Sequence, residues 1–260
     1  MLMRLGFWKD RLYKLDRMTL RELVGAYFTY YAVVGYLVAA GLAFVVLAAT
    51  VKSPWPPLAA AGVAILVYPL AWYLLHRFVL HGRYLYRSPW TSSVWKRIHF
   101  DHHQDPSDLR VLFGALYTTL PTIALVTIPL GWVIGGLPGG AAGFAAGLLT
   151  TCVYEFCHCI QHLNFQPRWS YLQRIKRLHL SHHFHNENGN YGITSFFWDH
   201  RLRTYYAEAR DIPRSPTVFN LGYTEAESEL YPWVAARSNG RRSDSHPRHF
   251  RASEADGPGA

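Results

Sequence analysis

The stretch that decides the fold is "LAAAGVAILVYPLAWYLLHRFVLH", residues 58–81. Its apolar run, 58–75, leads directly into two histidines, His76 and His81. About 20 apolar residues, each rising about 1.5 Å along a helix, cross the roughly 30 Å hydrocarbon core of a bilayer. The stretch therefore predicts a membrane helix that ends in a histidine pair at one face of the membrane.

Three more apolar runs cover roughly 26–50, 112–134 and 139–160, and "VKSPWPP" and "GGLPGG" join the runs into hairpins. Half of the 260 residues are hydrophobic and only 17% are charged, which is low for a soluble domain. A buried core helix, the alternative for any single run, is usually shorter and amphipathic. We therefore predict an all-α fold, with four transmembrane helices in two hairpins and a cytoplasmic helical cap that carries a histidine-rich dimetal site.

Lys and Arg predict the orientation. Of the 26 such residues, 25 precede the first run, separate the second from the third, or follow the fourth, and Lys52 alone lies at a hairpin tip. The positive-inside rule places both termini and the histidines in the cytoplasm. The net charge of +9 then reflects topology and anionic lipid head groups rather than nucleic-acid binding. We predict an amphipathic segment at 1–25, a membrane domain at 26–236 and a disordered tail at 237–260.

Ten of the fourteen histidines fall into four boxes, all on the predicted cytoplasmic side. Each half of the chain has a membrane hairpin, a histidine pair, a basic linker and an HxxHH triplet. Ten imidazoles are too many for one ion, so two metal ions are expected. The candidate ligands are His76, His81, His99, His102, His103, His158, His162, His179, His182 and His183.

Helical spacing predicts how the boxes converge. Residues three and four apart share a helix face, so His158 with His162, and the members of each HxxHH triplet, are expected to converge. His76 and His81 are five residues apart, roughly 140° around an α-helix. They converge only where the helix ends, bulges or unwinds.

The ligand type restricts the metal and its chemistry. Imidazoles suit iron, zinc, copper or nickel. Zinc suits hydrolysis of a polar bond, whereas an inert C–H bond requires an oxidant made from O₂, which iron supplies. A metal centre at the end of apolar helices suggests a water-poor site beside an acyl chain.

The boxes "LLHRFVLH", "HFDHHQDPSDLRVLF", "YEFCHCIQHL" and "HLSHHF…NYGITSFFWDHRLRT" resemble the fatty acid hydroxylase/sterol desaturase superfamily, over about residues 70–206. The similarity is greatest to the fatty acid 2-hydroxylase branch. By this resemblance the ten histidines match metal-ligand positions of a non-haem di-iron oxygenase. It implies two iron ions, which zinc can replace in recombinant protein, with O₂ as co-substrate and a membrane lipid as substrate.

The resemblance also implies a source of electrons. Related 2-hydroxylases often carry a fused cytochrome b5-like domain, and none precedes residue 26 here, so a separate cytochrome b5-like or ferredoxin/reductase donor is expected. The abundance of Ala, Gly and Arg favours a bacterial inner membrane over the endoplasmic reticulum. Gly139, Gly143 and Gly147 have the small-xxx-small spacing of closely packed helices, which also suits a homodimer.

Three residues are candidates for orienting the ligands. Glu155 is the one carboxylate in a membrane run and lies three residues before His158. Asn188 and Asp199 belong to the loop region that is expected to close over the site. Alternatives to hydroxylation are desaturation of a lipid or sterol, which also begins with hydrogen abstraction, and a membrane metal transporter or metal-binding protein. A transporter requires polar residues at mid-membrane depth, which the first three runs lack.

Overall fold

The computed structural model describes residues 14–238, and this part of the chain is helical. Its one β-type pairing is an isolated antiparallel bridge between Lys14 and Asp108. The structure therefore confirms a mainly helical fold without strands for the described residues. Most of the predicted N-terminal segment and nearly all of the predicted tail lie outside those residues.

The first two apolar runs form separate helices. Helix α1 spans Leu20–Phe28 and begins with a capping box. The Thr19 hydroxyl oxygen accepts a hydrogen bond from the Glu22 backbone N–H, and the Glu22 carboxylate accepts one from the Thr19 backbone N–H. Helix α2 spans Tyr31–Thr50 and α3 spans Trp55–Leu74. The predicted run 26–50 thus covers the end of α1 and all of α2.

The last two apolar runs belong to one interrupted helix, α7, at Leu116–His162. Its backbone is non-helical at Gly135 and at Gly136, where φ is +61° and glycine is strongly favoured. The two arms of α7 fold back on each other, since a Cβ atom at Gly131 would lie 2.2 Å from the carbonyl oxygen of Gly139. A Cβ atom at Gly143 would lie 2.9 Å from the carbonyl oxygen of Thr127. The glycines therefore allow a close antiparallel contact.

Within the described residues, three helical stretches are long and apolar enough to cross a membrane: Tyr31–Thr50, Trp55–Leu80 and Leu109–His162. The third, at 54 residues, contains both arms of α7. Large apolar side chains on these stretches are exposed, including Leu66, Leu125 and Val133 at 77%, 75% and 86%. Such exposure is what a lipid environment requires, so the structure indicates a membrane protein.

Two ranges of the described residues outside these stretches, 81–108 and 163–238, form what we call the head. Its longest helix is α8, Ser170–Phe184. A core of buried aromatic residues, including Tyr86, Trp95 and Tyr223, joins its two parts. The shorter α-helices of the fold are α4 (Ser92–Trp95), α5 (Asp101–Gln104), α6 (Leu109–Leu112), α9 (Phe197–Arg201), α10 (Glu225–Leu230) and α11 (Trp233–Ala236).

Candidate metal centre

A π-helical turn brings together the two histidines at the end of α3. Residues Leu75–Leu80 form this turn, in which the His81 backbone N–H donates to the His76 carbonyl oxygen at 3.0 Å. Hydrogen bonds from i to i+5 place residues five apart on one face. The two Nε2 atoms are consequently 3.2 Å apart. The bulge that the five-residue spacing required is therefore a π-turn.

The ten histidines of the boxes assemble into two groups of five. In each group, one ligand atom per residue lies within 4.8 Å of the other four. Opposite ligands of one ion, with bonds of about 2.1 Å, are about 4.2 Å apart, so each group is nearly the size of one coordination sphere. Group A is His76, His81, His99, His103 and His182, and group B is His102, His158, His162, His179 and His183.

The HxxHH triplets divide between the groups, which differs from the expectation that each triplet converges as a whole. His99 and His103 belong to group A, whereas His102 belongs to group B. Likewise His179 and His183 are in group B and His182 is in group A. Adjacent residues are about 100° apart around a helix, so the two neighbouring histidines of a triplet face different ions. Each half of the chain thus contributes one ligand to the other half's group.

Unpartnered nitrogen atoms test whether these residues fit metal ions. Six buried imidazole nitrogens in the two groups have no hydrogen-bond partner: His103 Nε2, His182 Nε2, His102 Nδ1, His179 Nδ1 and both nitrogens of His183. Burying an unpaired polar atom costs about 1–3 kcal/mol, so such a concentration needs a compensating ligand. Other pairs are in close contact, such as His81 and His99, whose Nε2 atoms are 2.8 Å apart. Nitrogens bound at right angles to one ion would be about 3.0 Å apart. The residues fit two metal ions.

Backbone carbonyl groups orient three imidazoles of group A. The Nδ1 atoms of His76, His103 and His182 lie 2.6, 3.0 and 2.7 Å from the carbonyl oxygens of Tyr191, Val218 and Gly189. A carbonyl oxygen only accepts, so each Nδ1 carries the hydrogen and each Nε2 lone pair is free for a metal. The sequence does not reveal these partners, because every residue has the same backbone carbonyl group.

Asp199 holds the loop that supplies two of these carbonyl groups. Its buried carboxylate accepts hydrogen bonds from the backbone N–H groups of Tyr191 and Gly192, at 2.8 and 2.9 Å, and from the Thr204 hydroxyl at 2.9 Å. Burial raises the pKa of Asp199, while these three donors oppose that rise. Asp199 therefore determines the position of the loop behind His76 and His182.

Asn190, rather than the predicted Asn188, completes this loop. Asn190 is buried at φ +55°, a conformation that asparagine tolerates, and its side chain bonds the backbone of Tyr206 at 2.9 and 3.2 Å. Asn188 is exposed, and its backbone N–H and side-chain amide both donate to Asn186 Oδ1. The structure does not bring Asn188 to the histidines.

Lys176 connects α7 and α8, the two helices that carry four of the five histidines of group B. Its ammonium on α8 donates to the carbonyl oxygens of Leu163 and, at 2.8 Å, Phe165, just beyond the end of α7. A cation there also offsets the negative end of the α7 dipole. The contact holds His158 and His162 on α7 against His179 and His183 on α8.

Replacing Lys176 by methionine should weaken this junction. The apolar stem is kept, but the carbonyl oxygens lose their donor, which we expect to lower the free energy of unfolding by about 1–3 kcal/mol. Thermal unfolding and metal content of the purified variant measure the effect. Arg177→Met is the matched control, since Arg177 is the exposed neighbour on α8. Equal stability of the two variants would contradict this role of Lys176.

Burial favours the neutral form of the seven head histidines that belong to groups A and B. Loss of hydration, followed by repulsion from neighbouring imidazoles, lowers the pKa well below its usual value at His81, His99, His102, His103, His179 and His183. For His182, burial lowers the pKa to about 4. Neutral imidazole is the form that binds metal ions, so the site is ready for metal at neutral pH.

Acid should destabilise the protein and release its metal. Because the folded-state pKa of His182 is about 4 and its ordinary value is 6.5, its contribution to stability is complete above pH 6.5 and is lost as pH falls towards 4. Each such histidine gives a slope of about 1.4 kcal/mol per pH unit in that window. Metal content and melting temperature, measured from neutral pH downwards, should fall together. If the melting temperature of the metal-free protein stayed constant between pH 6.5 and 4, the buried, neutral state of these histidines in the folded protein would be contradicted.

Glu155 is the remaining predicted orienting residue, and His185 and His200 are the two described histidines outside groups A and B. Glu155 is buried, and its Oε2 atom is 3.8 Å from His158 Nδ1, too far for a direct hydrogen bond. His185 lies outside both groups, and its Nε2 donates to the Ile212 carbonyl oxygen at 2.8 Å. His200 stacks on Tyr205, with ring centroids 3.7 Å apart.

An apolar cavity ends at the histidines. It lies between α3 and α7, and its lining reaches from Ala64 and Leu130 to histidines of both groups: His76, His99, His102, His158, His179 and His183. Several threonines also line it, but Thr118, Thr122, Thr127 and Thr151 donate their hydroxyl groups to backbone carbonyl oxygens three or four residues earlier, at 2.7–2.8 Å. Because these hydroxyl groups are already hydrogen-bonded, this part of the cavity wall is effectively apolar and suits a long apolar ligand.

Fold and site define a class: a helical protein with membrane-length helices and two all-histidine groups, each able to hold a metal ion, at the end of an apolar cavity. Comparison with known proteins identifies the family. The family model described as "Fatty acid hydroxylase" matches residues 61–204, more than half of the chain. The chain belongs to the fatty acid hydroxylase family.

Several relatives have assigned names. The chain is 31% identical over 150 residues to a fatty acid 2-hydroxylase of Rattus norvegicus, covering 56% of this chain and 39% of that protein. It is 34% identical over 140 residues to the dihydroceramide fatty acyl 2-hydroxylase FAH2 of Arabidopsis thaliana, covering 52% and 55%. The matched region thus spans about two fifths to just over half of these relatives.

A solved structure has the same fold. It is described as full-length scs7p with only the hydroxylase domain visible, and it is 25% identical to this chain. The TM-score is 0.62, and the match covers 81% of this chain and 74% of the other. The likeness extends beyond the residues matched by the family model and includes most of the described helices.

Proposed function

We propose that the protein is a membrane oxygenase that uses two iron ions, one in each histidine group, to hydroxylate a C–H bond of a fatty-acyl lipid. The observation that carries the proposal is the apolar cavity, which is lined by histidines of both groups at one end. Iron bound there would activate O₂ for the oxidation of an unactivated C–H bond. Overall, the lipid, O₂, two electrons and two protons become the hydroxylated lipid and water.

The chain's own residues bind, orient and exclude water. The cavity wall binds the acyl chain along α3 and α7. The carbonyl groups of Gly189, Tyr191 and Val218 hold three imidazoles with their Nε2 atoms turned to the metal. Burial of the histidines limits access of water to the reacting carbon. We also retain Glu155, the neighbour of His158, as an orienting residue, and we assign Asp199 the same role through its loop.

The membrane arrangement is part of the proposal. With each arm of α7 crossing once, α2, α3 and α7 provide four crossings. The distribution of Lys and Arg assigns both termini and the head to the cytoplasmic side, and composition favours a bacterial inner membrane. Residues 26–236 are the functional unit. Electrons come from a separate cytochrome b5-like or ferredoxin-type carrier. A homodimer would have to form through another face, because Gly139, Gly143 and Gly147 are buried against the first arm of α7.

Lipid mass spectrometry of cells that express the chain with a redox partner tests the proposal. A lipid that gains one oxygen atom with the intact chain, but not with His182→Ala, is the expected result. A lipid that loses two hydrogens instead would assign desaturation. Identical lipid profiles from well-expressed, iron-loaded protein with functional electron transfer would refute the oxygenase proposal.

A further inference from the structure

We propose that Ala64 sets the longest acyl chain that the cavity accepts. The inference rests on the proposed use of the cavity for an acyl chain and adds a length limit to it. Ala64 lines the cavity and is only 2% exposed. It is the lining residue of α3 farthest from the histidines, and Leu130 is the corresponding residue on the first arm of α7.

The position of Ala64 gives the cavity its depth. Ala64 lies twelve positions before His76, which is about 18 Å along a helix. This is more than half of the roughly 30 Å hydrocarbon core. An acyl chain whose reacting carbon lies beside His76 would therefore extend straight down α3 towards Ala64.

Close helix contacts end the cavity just beyond Ala64. One turn further from the histidines, Ala60 is 2% exposed, and a Cβ atom at Gly139 would lie 3.7 Å from the Ala60 Cβ. At the same level the arms of α7 touch through Gly131 and Gly139. Small residues allow these helices to approach so closely that no space remains for more methylene groups. Ala64 is therefore the last position where a larger side chain would occupy ligand space.

A graded series at this position tests the inference. Ala64→Val, Ala64→Leu and Ala64→Phe fill the end of the cavity progressively, so the longest accepted chain should shorten in that order. Purified, metal-loaded protein is incubated with an equimolar mixture of saturated straight-chain fatty acids, and the bound acids are quantified by mass spectrometry. In Ala64→Phe, the ratio of the longest to the shortest bound acids should fall by about tenfold or more, because filled space accepts extra atoms poorly.

The matched control is Ala59→Phe, which adds the same ring to an exposed position of α3. It should leave the bound chain lengths as in the parent protein. The Val and Leu variants keep the test valid if Ala64→Phe does not fold. Unchanged chain lengths across the folded variants, or no bound fatty acid in the parent protein, would overturn the inference.

The hydroxylation products separate this inference from the proposed function. A shift in bound chain length without any hydroxylated product would support the length limit and refute the oxygenase. Hydroxylated products whose chain lengths are the same in the parent protein and in Ala64→Phe would support the oxygenase and refute the length limit. A shift in both measurements would support both.

Discussion

His182→Ala should remove the metal from group A and reduce product formation by more than the roughly 10–100-fold expected for losing a residue that only orients a ligand. The reason is that the Nε2 atom of His182 has no other partner and is free to bind the metal. The Nδ1 atom of the same ring is held by the Gly189 carbonyl group. Because the variant leaves all five residues of group B in place, bound iron should fall from about two to about one per chain.

His200→Ala is the matched control for this substitution. His200 also lies in the head, but it stacks on Tyr205 outside both groups. Its removal should leave the metal content unchanged. Metal analysis of both purified variants, with circular dichroism as a check on folding, measures the difference. Two iron ions per chain in folded His182→Ala would refute the assignment of His182 to group A.

Asp199→Ala should lower the metal affinity of group A by about 10–100-fold, while group B keeps its metal. Asp199 touches no metal ligand. It acts through the loop in which it holds the N–H groups of Tyr191 and Gly192, and the carbonyl groups of Gly189 and Tyr191 in that loop orient His182 and His76. Without the carboxylate, these buried N–H groups lose their acceptor and the loop relaxes.

Asp211→Ala provides a matched control for Asp199. Asp211 also accepts two backbone hydrogen bonds, from Ala207 and Glu208 at 3.1 and 2.9 Å, but it is exposed and its loop orients no histidine in either group. Of these two variants, only Asp199→Ala should show a weakened iron affinity of group A when the metal-free protein is titrated with iron. Asp199→Asn, which keeps one acceptor oxygen, should be intermediate. Equal weakening of both groups would indicate a general loss of structure instead.

Local sequence patterns predicted the elements that depend on neighbouring residues. The apolar runs predicted α2, α3 and both arms of α7, because membrane-length helices need long apolar stretches. Gly135 and Gly136 were expected between hairpin arms, and the chain turns there. The four boxes in two matched halves predicted that the ten histidines would lie close together and form two sites, but not which histidine belongs to which site.

Sequence alone determined that ten named histidines would meet at the ends of membrane-length helices. Tertiary structure decided how they divide. Helical spacing within one triplet does not say which of two neighbouring histidines faces which ion. The packing of α5 and α8 decides that His102 belongs to group B and His182 to group A. The carbonyl groups behind His76, His103 and His182 also became visible only in the fold. Backbone polar atoms are identical in every residue, and contacts between distant segments select which of them are used.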